Sequence, residues 1–212
     1  MNGATLLDLT LGRLGKWNDT ALRATVLAEM NLVQFEYEQG PNLPWFLFDT
    51  RTFTVAAGDV SARFPANFIR FDDDAGYVQF KVAGIWQATS AIIPFEKISP
   101  QLGTITAGYP THVSVFDQLY VYPTPLDALE GRLLAAFHDA AVQDATVENL
   151  WTQNVPYLLV AKTAMRVAQT HLQDFELANS FAQLVAEAEA RVSRFTLASR
   201  FAGYSTNKAG DE

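Results

Sequence analysis

The feature that most constrains the fold of this 212-residue chain is a long C-terminal stretch, in which no glycine or proline occurs between Tyr157 and Ala202. Apolar residues recur along it at helical spacing, first as Leu158, Ala161, Met165, Ala168 and Leu172, and then as Leu177, Phe181, Leu184, Ala188 and Val192. Pro156 suits a first helical turn, and Asp174 can cap a second helix. The pattern predicts two long amphipathic helices, each of which must bury its apolar stripe.

The N-terminal part of the chain carries the same kind of signal. Residues 1–16 predict a short leucine-rich helix. A second helix is predicted from Thr20, with Asn18 or Asp19 as its N-terminal cap. Its apolar residues follow at intervals of three or four, as Leu22, Val26, Met30, Val33 and Tyr37. A Gly-Pro pair at 40 and 41 ends it, because proline cannot continue the helical hydrogen bonds.

The middle of the chain has a different character. Residues 51–122 are rich in Phe, Val, Ile, Tyr and Thr and are interrupted by turn residues at short intervals. Short strands are predicted at 52–55, 68–71, 77–82 and 119–122. The aspartate run at 72–74 is interpreted as a solvated loop between two of them. This spacing predicts a small antiparallel β module.

Residues 129–141 fit two interpretations. The composition of GRLLAAFHDAA favours a helix by propensity alone. The same residues could form a last strand, with Arg132, Leu134, Ala136 and His138 on one face. Periodicity does not decide between the two.

The order of these segments predicts an α+β fold. Helices at 1–43 and 142–195 are expected to pack together as one discontinuous helical domain, because neither set of stripes can stay exposed. A β-rich insertion is expected at 44–141. Residues 196–212 are expected to form a flexible or extended tail, since glycine, serine and asparagine accumulate there.

Composition narrows the classes of function. The chain has 15 basic and 23 acidic residues and a net charge of -8, which argues against sequence-specific binding of nucleic acid. It has no cysteine, which excludes disulfides, thiolate nucleophiles and cysteine metal sites. No apolar run approaches the length of a membrane span, and the N-terminus does not resemble a signal peptide. We therefore expect synthesis in a cytoplasm.

Candidate catalytic and metal-binding residues are sparse. The three histidines, His112, His138 and His171, lack the spacing of metal ligands. The run at 72–74 could hold a hard cation but lacks the calcium-loop pattern. Glu36 and Glu38 lie two residues apart and so on different faces of a helix, which does not suit paired carboxylate catalysis. We predict no catalytic residue, no metal site and no cofactor.

An aromatic cluster follows the second helix. Trp45, Phe46 and Phe48 could form a platform for sugars. The simpler interpretation is that they bury area where the helical and β modules meet, with Trp45 buried. Trp86 is interpreted in the same way, as a packing residue of a strand or loop.

The order of short motifs resembles the bacteriophage head-to-tail adaptor family, also called head completion, neck or connector proteins of short-tailed phages. The motifs are LPWF at 43–46, TFTV at 52–55, FPANFIR at 64–70, GYP at 108–110 and LYVYPTP at 119–125. Family members commonly carry Leu-Pro-Ala-Asp-Phe at the third motif. The similarity spans most of residues 6–194 and implies that 131–141 is a strand. NLW at 149–151 departs from the family's usual order.

The resemblance implies a structural virion protein and not an enzyme. Copies would form a ring, twelvefold in the family, beneath the portal protein. The ring would extend the channel for double-stranded DNA without binding it specifically, and would offer a platform for tail or nozzle proteins. Partner-binding residues are expected near the start of the tail, at Phe195, Leu197, Arg200, Phe201 and Tyr204.

Two alternatives remain open at this stage. One is a virion-associated hydrolase of cell-wall glycan that uses a pair of carboxylates. The other is a tail-side module that binds a glycan or receptor through Trp45 or Trp86.

Overall fold

The computed structural model describes residues 1–71, 76–106 and 108–207, with side chains for all of these except 106 and 200–207. The contacts divide the chain into two compact units. The helical unit comprises Met1–Leu47 and His138–Glu212, and the β unit comprises Phe48–Phe137. The β unit is a few residues shorter at each end than the β-rich insertion expected at 44–141. Trp45–Leu47, a single 3-10 turn, belongs to the helical unit.

The described residues contain helix and strand in the order that the sequence pattern predicts. The helices are α1 (Gly3–Arg13), α2 (Thr20–Gln39), α3 (Phe95–Ile98), α4 (Leu150–Asn154), α5 (Pro156–Thr170) and α6 (Phe175–Asn207). The Asp19 carboxylate accepts a hydrogen bond from the Leu22 N–H at 2.8 Å at the start of α2. Asp174 accepts one from Leu177 at 2.9 Å at the start of α6. Both predicted caps are therefore present.

The core of the helical unit is built from α1, α2 and α5. The predicted stripe of α2 is confirmed at its centre, where Val26, Met30 and Val33 are fully buried. Helix α5 packs against α1, α2 and α6. It buries Leu158, Leu159, Ala164 and other residues on more than one face. Such all-round burial is typical of a central helix.

The prediction of a flexible or extended tail from residue 196 is wrong as far as Asn207, because these residues belong to helix α6. Its helical backbone continues from Phe175 to Asn207 without interruption, and residues 208–212 lie outside the described range. Among the α6 side chains that are described, those of 175–199, the buried ones are Ala178, Phe181 and Val185. The predicted stripe is therefore wrong at Leu184, which is 41% exposed.

The described residues of the β unit form two main sheets and one additional strand pair. The strands are β1 (Phe48–Val55), β2 (Ser61–Ala62), β3 (Phe68–Arg70), β4 (Tyr77–Val82), β5 (Ile85–Trp86), β6 (Ala91–Ile92), β7 (Ile105–Thr106), β8 (His112–Val115), β9 (Leu119–Tyr122), β10 (Thr124–Pro125) and β11 (Leu129–Phe137). The first sheet has the order β1-β11-β4-β5, with β3 also paired to β11. The second has the order β2-β9-β8-β6, and β7 pairs with β10 in parallel.

Strand β11 settles the ambiguity at 129–141 in favour of the strand. It pairs antiparallel with β1 on one side and with β4 on the other. Leu133, Ala135 and Phe137 are buried on its inner face, whereas Arg132 and Leu134 are only partly buried. Burial between two strands outweighs the helical propensity of this segment. The strand ends at Phe137, so His138 is not part of it.

The structure is thus a mixed α+β fold, as the sequence pattern predicts. The aspartate loop predicted at 72–74 lies outside the described residues. Within the described ranges, no helix is both long and apolar enough to cross a membrane.

Candidate partner-binding surface

The three histidines lie apart and have separate partners. His138 Nδ1 is 2.6 Å from Glu38 Oε2, and His171 Nε2 is 2.9 Å from Glu29 Oε1. His112 lies on β8 and contacts the hydroxyl of Thr111. Among the described side chains, no group of three or more His, Asp or Glu residues could hold a metal ion.

Glu38 is the centre of a buried polar network in the helical unit. It is 3% exposed, and its Oε1 accepts hydrogen bonds from Trp151 Nε1 at 2.8 Å and from Gln34 Nε2 at 3.0 Å. The backbone N–H of Asp139 also points to Oε1, at 3.4 Å. Because α2 supplies Glu38 and Gln34, the network attaches the segment that returns from the β unit to this helix.

Glu36 points in a different direction, as its position on α2 predicts. Its carboxylate accepts a hydrogen bond from Arg166 Nη1, and Arg166 Nε donates to Glu29 at 2.9 Å. The two glutamates considered as a catalytic pair are therefore each engaged with different neighbours. These contacts link α2 to α5.

The aromatic residues after α2 pack onto the helical unit. The ring of Trp45 lies 5.1 Å from Phe46 and 5.5 Å from Phe195, between ring centroids. Phe46 makes an edge contact with the buried Trp151 at 5.1 Å. The prediction that Trp45 is buried is wrong, since its side chain is only half-buried. One of its neighbours is Phe195, which is itself 50% exposed.

Trp86 lies on the edge strand β5 and packs against cations. The guanidinium of Arg132 lies 4.4 Å from the ring centroid of Trp86, and the Lys81 ammonium lies 5.5 Å from it. Such cation–π contacts are typical of side chains on an exposed sheet face. This arrangement agrees with the interpretation of Trp86 as a packing residue.

Helix α6 is held to α2 and α5 by one polar cluster around Glu189. The Tyr37 hydroxyl donates a hydrogen bond to Glu189, and Lys162 Nζ lies 3.1 Å from the same carboxylate. Burial opposes ionisation of Glu189, but these two hydrogen bonds outweigh it, so its pKa lies below the ordinary glutamate value. Burial and the hydrogen bond to Glu189 raise the pKa of Tyr37.

We expect acid to destabilise the helical unit partly through Glu29 and Glu189. Burial opposes ionisation of Glu29, but its contacts with His171 and Arg166 lower its pKa overall. A depressed folded-state pKa adds stability above the ordinary glutamate pKa of 4.5. That stability is lost as the pH falls through the folded-state value. Denaturant unfolding at successive pH values should show a shallower acid-side decline in Glu29→Gln and Glu189→Gln than in the unmodified chain. An unchanged slope in both variants would contradict this assignment.

The end of α6 extends beyond α5, because α6 has 33 residues and α5 has 15. Buried or half-buried residues still recur every three or four positions as far as Val192 and Thr196, and the other residues from 193 to 199 are exposed. Phe195 is 50% exposed and Leu197 is 55% exposed. These two predicted partner-binding residues therefore lie on one projecting helical segment. Nothing is described of the side chains of the other three, Arg200, Phe201 and Tyr204, whose backbone continues the same helix.

The charge of this segment differs from that of the whole chain. From 190 to 207 it contains Arg191, Arg194 and Arg200 and no acidic residue, although the chain carries a net charge of -8. The guanidinium of Arg191 lies 5.7 Å from the ring of Phe195. The segment thus combines exposed apolar side chains with positive charge. We define residues 190–207 as the α6 projection.

The sequence pattern predicts partner-binding residues at Phe195, Leu197, Arg200, Phe201 and Tyr204, and its prediction of a flexible or extended conformation from residue 196 is wrong as far as Asn207. A signal for the helix was available, because no glycine or proline occurs between Tyr157 and Gly203. The Glu38 network was not foreseen, since nothing local distinguishes Glu38 from the other glutamates of α2. The chain matches no protein-family model and no curated protein at a significant level.

Proposed function

We propose that this protein is a structural virion protein, the head-to-tail adaptor of a bacteriophage. Copies form a ring beneath the portal protein, twelve in number by analogy with the similar family. The ring extends the DNA channel and carries tail or nozzle proteins on its other surface. The order of sequence motifs supports this proposal, and so does a helical unit that is interrupted by a β unit.

The observation that carries the proposal is the α6 projection. At about 1.5 Å per residue, the 33-residue α6 is roughly 50 Å long, more than twice the length of the 15-residue α5. Leu197 and the exposed half of Phe195, whose ring also contacts Trp45, leave apolar area to bury on this helix. An amphipathic helix laid into a groove of another protein is a common mode of recognition. Because residues two apart lie on different faces of a helix, Leu197 is the residue that enters the groove.

The charge of the projection indicates the chemistry of the portal surface. Arginines pair with carboxylates in two-pronged hydrogen bonds, so the groove is expected to be apolar with an acidic rim. Because the projection is already helical, binding orders less backbone than the docking of an extended tail would. The remaining chain has excess acidic charge, which lets DNA pass through the channel without specific attachment.

The test is binding to the purified portal ring. The full chain should form a stable complex visible by electron microscopy, with adaptor density below the portal. Leu197→Asp is expected to weaken binding at least tenfold, because it places a carboxylate in an apolar contact and opposes the arginines. Binding is measured by the concentration dependence of complex formation on sedimentation.

Leu184→Asp is the matched control, since Leu184 is also an exposed leucine of α6 but lies in its packed part. It should bind like the unmodified chain. An equal loss of portal binding in both variants would contradict the proposal. So would an unmodified chain that does not bind the portal.

A further inference from the structure

Strand β1 is an open edge of the first sheet and borders a groove. Among the described strands it pairs with β11 alone. A groove of about 800 Å³ lies between it and the segment 59–65. Phe53, Ala62 and Phe64 contribute apolar surface to this groove. The charged lining residues are Asp59 and Arg63, which have opposite signs, so an uncharged occupant fits best.

The backbone of β1 offers unpaired groups to this groove. The Thr50 N–H donates to the Asp49 carboxylate at 2.8 Å, so it faces away from β11. Along an antiparallel strand, every second residue directs its N–H and C=O groups away from the partner strand. Those of Thr52 and Thr54 therefore face away from β11, as the Thr50 N–H does. Among the described residues, no backbone group of a turn or loop bonds to these N–H and C=O groups. An edge of this kind can accept a further strand.

Strand β7 is a second open edge with matching chemistry. It pairs only with β10 among the described strands. The Thr124 N–H donates to the Thr104 C=O at 2.9 Å, so the backbone groups of Ile105 face away from β10. The Ile105 side chain is 55% exposed, and the sequence from 98 to 116 contains no Asp, Glu, Lys or Arg.

We propose that β7 of one copy adds to β1 of a second copy as a parallel strand, with Ile105 opposite Phe53. In a parallel ladder, the N–H and C=O of one residue bond to the two residues that flank its opposite neighbour. Ile105 would therefore donate to the Thr52 C=O and accept from the Thr54 N–H. Opposite residues share a face, so the Ile105 side chain enters the groove beside Phe53. An antiparallel pairing would instead place it among the exposed threonines.

This contact joins two different surfaces of the same chain. Each copy would present β1 to one neighbour and β7 to the other, which is the heterologous pairing that a closed ring requires. The inference rests on the proposed ring and names one of its contacts. The α6 projection takes no part in it, so the two ideas can fail separately.

Engineered cysteines test the contact sharply, because the chain has none of its own. Full-length Thr52→Cys and Thr104→Cys are mixed and oxidised, alone and with the portal ring. These residues are opposite each other in the proposed register, within the reach of a disulfide. The mixture should give a disulfide-linked dimer on a non-reducing gel at least tenfold faster than Ile85→Cys with Thr104→Cys. Ile85 is the control because it is an exposed residue on the other edge strand of the sheet, β5.

A second variant checks the hydrogen bonds. Thr54→Pro removes an outward N–H from an edge strand, where proline is tolerated, and should reduce cross-linking of Thr52→Cys at least fivefold. The contact is supported if Thr52→Cys cross-links to Thr104→Cys faster than the control pair does and if Thr54→Pro lowers that rate. This holds even if the chain does not bind the portal. The proposed β7–β1 contact is overturned if the control pair cross-links as fast as the test pair, or if rings form without any cross-link. In either case the adaptor function still stands. No cross-linking under either condition also overturns the proposed contact.

Discussion

Replacing Trp151 with alanine is expected to lower the free energy of unfolding of the helical unit by about 3–5 kcal/mol. Trp151 is fully buried. Its ring contacts Phe46 and Tyr37 at centroid distances of 5.1 and 5.8 Å, and its Nε1–H donates to Glu38. The substitution removes the largest fully buried side chain of the unit and leaves a cavity. Urea denaturation followed by far-ultraviolet circular dichroism measures the loss.

Two further variants separate the causes. Trp151→Phe retains most of the ring but removes the N–H, so its cost should be clearly smaller than that of alanine. Tyr157→Ala, on the adjacent α5, replaces an aromatic side chain that is 62% exposed. It should change stability by no more than about 0.5 kcal/mol. If Trp151→Ala were as mild as Tyr157→Ala, the assignment of Trp151 to the core would be wrong.

In the β unit, we expect Gly131→Ala to cost about 1–3 kcal/mol through overpacking. Gly131 lies on β11 directly opposite Phe53 on one side and Phe80 on the other. A Cβ atom at this position would lie 2.3 Å from Cζ of Phe53. Phe53 cannot move aside freely, because it is 8% exposed and packs edge-on against Phe80 at 5.8 Å. Hydrogen exchange should show reduced protection in β1, β4 and β11.

A double substitution tests this cause directly. Phe53→Leu shortens the side chain that meets the added methyl group, so the two changes should not be additive. Gly131→Ala is expected to cost at least about 0.5 kcal/mol less in the Phe53→Leu background than alone. Equal costs in both backgrounds would show that the methyl group meets something other than Phe53.

The predictions from the sequence succeeded where the signal is local. The caps at Asp19 and Asp174 are adjacent to the helices they begin. The stripe of α2 depends only on helical geometry. The predictions were less reliable where burial against distant segments decides the secondary structure. The composition of β11 favours a helix, and the strand forms because β1 and β4 enclose it. The partner-binding residues stay a prediction, and the helical conformation of residues 196–207 was not predicted.

The sequence by itself determined where α2 and α6 begin and which face of α2 is buried. It also determined that the middle of the chain forms short strands. These follow from capping, periodicity and β-branched composition, which act over a few residues. Only the tertiary structure decided that Glu38 accepts a hydrogen bond from Trp151, 113 residues away, and that a side chain at Gly131 would clash with Phe53. It also decided that Leu197 of α6 is exposed. Each of these depends on which distant segments come into contact, and no local pattern encodes that.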